Sequence, residues 1–381
     1  MNTIIRKSES EKVVPDDPSQ DINDEVTFRL ELNNFQLMEK LREHLLIGFG
    51  NPLLDIAATV ANELLKKYNL KKDDAILARH EHKHLCKYLH EKYNAEFIAG
   101  GSVQNTLRVC QWILQKPRVA TFFGCVGKDN YATILEKKAI EDGLNVCYQY
   151  TDEAPTGTCA VLITGTHRSL CAHLAAANHF TLEHLQKPEN RQLWESAEYF
   201  YISGFFLTVS PPSIMEVARH SHKHNGAFMM NLSAPFVSQH FKEALMVAMP
   251  YVDLLFGNKD EVETFARELS WHTENLEEVG QKIVALHKAD GERKRIVVIT
   301  QGSQPVLLFH GNSIKDFPVQ KLTPEQIVDT NGAGDAFVGG FLAQYITKKP
   351  LDVCVHCGVW AAAQIIQRSG CTFEGKPSFQ V

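Results

Sequence analysis

The sequence predicts an α/β fold in which a central, mostly parallel sheet is flanked by helices and carries a smaller β-rich lid. Two observations lead there. From His44 onward, short apolar or β-branched runs alternate with longer helix-like stretches, the rhythm of a parallel sheet buried on both faces. Two segments, 53–99 and 145–178, break that rhythm, because there apolar and polar residues interchange as in a half-exposed sheet. These two separated pieces are expected to assemble the lid.

Along the chain, buried strands are expected at 45–50, 119–124, 199–202, 227–231, 254–257 and 296–300. Each is a short run of apolar or small residues, the length of a strand and not of a helix. Helices are expected between them, at 105–115, 131–142, 211–225, 260–268 and 336–345. No internal repeat is present. Residues 1–43 read differently: 8–25 holds Pro15, Pro18 and seven acidic residues with almost no large apolar side chains, a composition that cannot bury a core. A disordered polar extension, 1–43, is therefore expected ahead of a domain at 44–381.

Composition excludes several classes. Apolar residues make up 44% and charged residues 22%, the balance of a globular chain and not of a disordered, collagenous or disulfide-stapled one. Lys and Arg number 39 against 45 Asp and Glu, a net charge of −6, the wrong sign for gripping nucleic acid by charge alone. The nine cysteines are an odd, scattered set without a secretory leader pattern, as expected of reduced intracellular thiols. The longest apolar stretch, 199–212, is broken by Ser203 and Gly204 and falls short of the roughly 20 residues a membrane helix needs.

The strongest local signal is the run 328–340, which contains Asp329, Asn331, Gly332, Ala333, Gly334 and Asp335. Small residues leading into a helical pattern leave backbone N–H groups free at a helix start, an anion hole suited to phosphate. Asp335 falls in the first turn, where a carboxylate can take the proton of a hydroxyl that attacks phosphorus. An acid that merely complements the helix dipole would look the same. A second glycine pair, Gly100-Gly101, opens another helix, where Ser102 and Asn105 offer hydrogen bonds to a polyhydroxylated ligand. Asn258 and Glu261, three residues apart after a strand, suit either a hydrated Mg²⁺ with its phosphates or a plain helix cap. Thr300-Gln301-Gly302 ends a strand, where open parallel sheets bind ligands.

Other clusters read as structural. His80 and His84 share an expected helical face, but Arg79, Lys83 and Lys87 would oppose a cation there. Cys354 and Cys357 have redox spacing inside an expected buried helix, which favours inert thiols. No Gly-x-Gly-x-x-Gly follows the first strand, which disfavours a dinucleotide enzyme.

Through Gly50-Asn51-Pro52-Leu53-Leu54-Asp55-Ile56, Ala99-Gly100-Gly101-Ser102, Gly124-Cys125-Val126-Gly127-Lys128-Asp129, Pro155-Thr156-Gly157-Thr158, Asn231-Leu232-Ser233-Ala234-Pro235, the 329–337 run and Gly370-Cys371-Thr372-Phe373, the chain resembles the ribokinase family of sugar and nucleoside kinases. The resemblance covers about residues 46–377. It implies a ribokinase-like fold and an ATP-dependent phosphotransferase acting on an alcohol, with the adenosine 5′-hydroxyl as acceptor, AMP and ADP as products, and purine salvage as setting. On this resemblance Asp335 is the general base, and the amides of Gly332, Ala333 and Gly334 form the anion hole. Arg168 comes from the lid toward the phosphates. Asn51, Asp55, Gly101, Ser102 and Asn105 hold the ribose hydroxyls, and Asn331 lies on the substrate side. Leu77, Leu170, Ala172, Leu174 and Phe205 surround the base, with Phe205 stacking on it. Asn258, Glu261, Thr300 and Gly302 face ATP, and Glu261 holds Mg²⁺ through water. Ala75 and Val359 depart from the pattern, standing where Gln and His often occur. A monomer in the cytoplasm, and also in the nucleus, without nucleic-acid or membrane partners, is expected. A kinase of another nucleoside or sugar, or a non-catalytic nucleoside-binding protein, are the alternatives.

Overall fold

The computed structural model describes residues 41–72, 74–165, 167–289 and 293–380. The expected polar extension, all but its last three residues, lies outside them. Fourteen strands are described: β1 (Leu46–Phe49), β2 (Leu53–Thr59), β3 (Ala75–Leu77), β4 (Glu96–Gly100), β5 (Ala120–Gly127), β6 (Asn145–Thr151), β7 (Thr158–Thr164), β8 (His167–His173), β9 (Tyr199–Ser203), β10 (Ala227–Asn231), β11 (Leu254–Asn258), β12 (Ile296–Gln301), β13 (Gln304–His310) and β14 (Ser313–Phe317). They form a nine-stranded sheet, ordered β14-β13-β12-β11-β10-β9-β1-β5-β6, and a five-stranded sheet, ordered β3-β8-β7-β2-β4.

From β6 across to β12 every pairing in the large sheet is parallel. The reason is local: the side chains of β1, β5 and β9 are buried throughout, so helices must cover both faces and return the chain to the same edge. The six strands expected from sequence all appear, within a few residues of their ends. The edge hairpin β13–β14 escaped the sequence reading. Both of its pairings are antiparallel, because only tight turns at Gly302, with φ of +60°, and at Gly311, with φ of +59°, join β12 to β13 and β13 to β14 and leave no room for a crossover.

From β1 the chain continues outward to β5 and β6 on one side, whereas β9 to β14 extend on the other. Such a reversal opens a crevice at the carboxyl ends of the strands. Their cores are aromatic, with Phe49 stacked on Phe123 and Phe206 and Trp194 fully buried.

The small sheet has two different faces because side chains alternate along a strand. Ile56, Ala58, Ala160, Leu162 and Cys171 pack under the helices Asn62–Lys67 and Leu85–Tyr93. Leu53, Ala57, Cys159, Val161, Leu170 and Ala172 make a second apolar cluster on the opposite face. One expectation is corrected here. The segment 145–178 divides, since β6 pairs with β5 in the large sheet and only β7 and β8 belong to the small one. As an edge strand, β6 alternates in burial without changing sheet, so its pattern reports exposure and not sheet membership.

His80 and His84 also depart from expectation. A 3₁₀ turn ends at His82 and the helix begins at Leu85, so no helical face carries both. His82 instead bonds the Arg79 amide at 2.9 Å and the Tyr68 carbonyl at 2.9 Å. Cys354 and Cys357 are buried in the helix Leu351–Ile366, and burial pushes the Cys357 thiol up to about 12. Among the described residues no helix is long and apolar enough to cross a membrane.

Candidate active site

A cleft separates the carboxyl ends of the large sheet from the inner face of the small one. One wall begins with Asp329, which is 2% exposed. Its Oδ1 accepts from the Asn331 amide at 2.8 Å and its Oδ2 from the Gly370 amide at 2.8 Å. The turn this makes continues through Gly332, whose φ of +77° caps the helix Ala333–Tyr345, a conformation that glycine adopts without strain. The first amide to close onto the helix is Ala336, on the Gly332 carbonyl at 2.8 Å. Ala333 turns its amide back onto the Thr330 carbonyl at 3.3 Å.

Asp335 stands third in that helix. Ser102 Oγ donates to its Oδ1 at 2.7 Å and Asn105 Nδ2 to its Oδ2 at 3.1 Å, joining the starts of two helices far apart in sequence. Burial pushes the Asp335 carboxyl up to about 6, and these two hydrogen bonds oppose the rise. An acid so placed is ionised at neutral pH yet basic enough to accept a proton.

Opposite lies a polar corner. Asp55 of β2 is buried, and its carboxyl is pushed up to about 8, first by burial and then by Asp335 and Asp329, against the pull of Arg108. A Cβ on Gly100 would stand 2.4 Å from Asp55 Oδ1, so a side chain there would displace the carboxylate. Gly101 has φ of +93°, and a Cβ on it would meet the Asn51 carbonyl at 2.3 Å. The buried Asn51 amide has no partner for either its nitrogen or its oxygen. Buried polar groups are ordinarily paired, so this amide is arranged for something that enters the cleft.

The remaining walls are apolar and acidic. Ala75, Leu77, Leu170, Ala172 and Leu174 line the small-sheet side, and Phe205, tilted on Phe236 at 5.9 Å, lines the other. Asn258 and Glu261 form a capping box: Glu261 accepts from the Asn258 amide at 2.9 Å and side chain at 2.8 Å, and Asn258 accepts from the Glu261 amide at 2.9 Å. The cap and the cleft position coincide, since both residues also line the cleft. Burial raises the Glu261 carboxyl to about 7.

Of the residues singled out from sequence, Asn51, Asp55, Leu77, Gly101, Ser102, Asn105, Leu170, Ala172, Leu174, Phe205, Asn258, Glu261, Thr300, Asn331, Gly332, Gly334 and Asp335 line one cleft. Three do not. Ala333 turns its amide onto Thr330, and Gly302 sits in the β12–β13 turn, where a Cβ would have no atom within 4 Å. Arg168 is held on β8, 7% exposed, with Nε 2.8 Å from Asp329 Oδ1 and Nη2 donating to the Val328 carbonyl at 2.8 Å. The sequence reading missed Cys159, Ser203, Thr208, Asn231, Ser233 and Phe236. Ser203 and Asn231 end β9 and β10, so the strand-end argument used for Thr300 would have found them. Cys159 enters because β7 pairs with β2 opposite Asp55, which no local signal reveals.

A mostly parallel sheet whose carboxyl ends meet a second sheet, with a carboxylate at a glycine-opened helix, defines a small-molecule kinase. The chain belongs to the pfkB family of carbohydrate kinases, which it matches over residues 64–378, and is an ATP-dependent kinase. It is 48% identical to adenosine kinase 2 of Arabidopsis thaliana over 335 residues, 88% of this chain and 97% of that one. It is 41% identical to adenosine kinase of Dictyostelium discoideum, over 85% of this chain and 94% of that one. Among solved structures, Anopheles gambiae adenosine kinase in complex with P1,P4-di(adenosine-5) tetraphosphate superposes with a TM-score of 0.87 at 59% identity, covering 89% of this chain and 100% of that one. Adenosine kinase from Schistosoma mansoni in complex with 2-fluoroadenosine gives 0.86 at 36% identity, over 89% and 100%.

Proposed function

We propose that the chain phosphorylates adenosine on its 5′-hydroxyl with ATP, giving AMP and ADP. The observation that carries this is Asp335, held by Ser102 and Asn105 at the start of the helix Ala333–Tyr345 and facing the cleft that Asn51 and Asp55 share. The likeness to adenosine kinases names the nucleoside.

In this reading Asp335 removes the proton of the 5′-hydroxyl as its oxygen attacks the γ-phosphorus in line, and ADP departs with the bridging oxygen. The amides of Gly332 and Gly334 and the helix dipole receive the charge on the transferred group. Asn51, Asp55, Gly101, Ser102 and Asn105 hold the ribose, where Asp55 can accept from two hydroxyls. Leu77, Leu170, Ala172 and Leu174 enclose the base against Phe205. Asn258, Glu261 and Thr300 face the nucleotide. The small sheet acts as a lid that excludes water, and Arg168 exchanges Asp329 for phosphate as the lid closes.

Mg²⁺ fits this donor set as a hydrated ion. Among the described residues no group of three or more His, Cys, Asp or Glu surrounds a common point, and Mg²⁺ commonly keeps its waters beside one or two carboxylates and the substrate's phosphates. Glu261 would hold it through water. When bound it neutralises phosphate charge. The nine free cysteines suit a reducing compartment, cytoplasm or nucleus.

Asp335→Asn is expected to cut turnover by about 10²–10⁴-fold while adenosine binding, followed by calorimetry, stays near normal. Near-wild-type turnover overturns the base assignment. Labelled-phosphate transfer across adenosine, inosine, guanosine, ribose and fructose tests the acceptor, and preference for a free sugar overturns the nucleoside reading.

A further inference from the structure

We propose that Arg108 is a positioning residue for the reaction, holding the Asn105 amide in the one orientation that donates to Asp335. The inference rests on Asp335 being the base and extends that reading to a residue outside the cleft walls. Arg108 lies one turn after Asn105 on the helix Ser102–Leu114 and is 1% exposed. Its Nη1 donates to Asn105 Oδ1 at 3.2 Å and to the Ala99 carbonyl at 3.2 Å, and its Nε to Asp142 Oδ2 at 2.6 Å.

A guanidinium donates and cannot accept. The Asn105 amide therefore turns its oxygen to Arg108, which leaves its nitrogen on Asp335 Oδ2 at 3.1 Å. The reverse orientation would set a carbonyl oxygen against the carboxylate and favour the protonated acid. Ser102 secures only the other carboxylate oxygen, so nothing else in this pair of helices decides which end of the amide meets Oδ2. Asp142, itself bonded to Lys138 at 3.0 Å, balances the buried guanidinium, whose burial would otherwise be costly.

On top of burial, Asp335 in turn raises the carboxyls of Asp55 on β2 and Glu261 on the helix Lys259–Glu268, the Tyr201 hydroxyl on β9 and the Cys371 thiol behind Gly332. All are acids, so none favours an ionised Asp335. The hydrogen bond from Asn105 does, and Arg108 sustains it. Losing Arg108 should raise the pH at which the base becomes active.

The test is the kcat–pH profile with adenosine between about pH 5 and 9. Arg108→Met is expected to move the acid limb upward by about half a pH unit to one unit, which lowers kcat by about 3–10-fold near pH 5 and by less than about twofold near pH 7. The KM for ATP should be unchanged, and that for adenosine should rise modestly, because Arg108 also favours the ionised Asp55. Arg108→Lys, which keeps a charged donor, should return the limb to its wild-type position even if thermal stability stays low. In an Asn105→Ala background Arg108→Met should shift the limb no further. If Arg108→Met does not fold, Arg108→Gln, which frees the Asn105 amide to turn, carries the same expectation. An unmoved limb in the folded variant, or an equal shift without Asn105, overturns the proposal. Undiminished turnover in Asp335→Asn would instead overturn the base assignment, whatever Arg108 does.

Discussion

Arg168 and Asp329 form a buried ion pair, Nε to Oδ1 at 2.8 Å, that ties β8 of the small sheet to the loop preceding Asp335. The two residues do not carry equal weight. Asp329 also receives the Asn331 and Gly370 amides, so its removal leaves two backbone donors as well as a buried guanidinium without their acceptor. Asp329→Ala should therefore cost about 3–5 kcal/mol and exceed Arg168→Met by about 1–2 kcal/mol. Urea unfolding of both variants measures the ranking, and the reverse order would refute it.

Three acids of the cleft have carboxyls raised mainly by burial: Asp55 to about 8, Glu261 to about 7 and Asp335 to about 6. An acid raised in the fold binds its proton more tightly folded than unfolded. The stability this provides is full below the unfolded carboxylate range and is lost as pH rises through the folded values. Asp335→Asn should thus stabilise the free protein at pH 8 by about 1–2 kcal/mol, a gain that vanishes near pH 4. Denaturation at both pH values decides it; a pH-independent difference contradicts the account.

The same ionisation governs the rate. With Asp335 raised to about 6, turnover of adenosine should climb with pH below that value and level off above it. A profile flat down to pH 5 would mean that a different group, or none, accepts the proton.

Gly100 stands against Asp55, where a Cβ would lie 2.4 Å from Oδ1. Gly100→Ala is expected to raise the KM for adenosine at least about tenfold, since small displacements of a positioning group are costly, and to leave the KM for ATP nearly unchanged. Steady-state kinetics in each substrate separates the two.

Of the nine free cysteines, only Cys86 and Cys147 are partly exposed. A thiol reagent should label at most these two rapidly in the native protein and all nine after unfolding. Fast labelling of Cys354 or Cys357 would contradict their burial.

Much of this protein was legible before folding. The parallel strands announced themselves because a strand buried on both faces must be a short apolar run, and Ile296–Gln301 or Ala227–Asn231 can be little else. The helix at Ala333–Tyr345 was legible to within three residues, the error arising because Gly332, at positive φ, starts it earlier than the apolar pattern does. The alternation in β6 misled, since an edge strand of a large sheet and a strand of a small one alternate alike.

By itself the sequence determined six strands of the large sheet, the glycine-opened helix starts and the chemistry stored at Asp335 and Glu261, because these depend on residue types within a few positions of one another; Asp55 entered only through the family resemblance. Only the tertiary structure decided that Ser102 and Asn105 grip Asp335 across 233 and 230 residues of chain, that Arg168 rests on Asp329, and that Arg108 orients Asn105. Hydrogen-bond partners so distant are chosen by how two helices and two sheets pack. Local pattern can supply the donors and acceptors, but which of them meet, and which like Asn51 are left waiting for a ligand, is settled by packing alone.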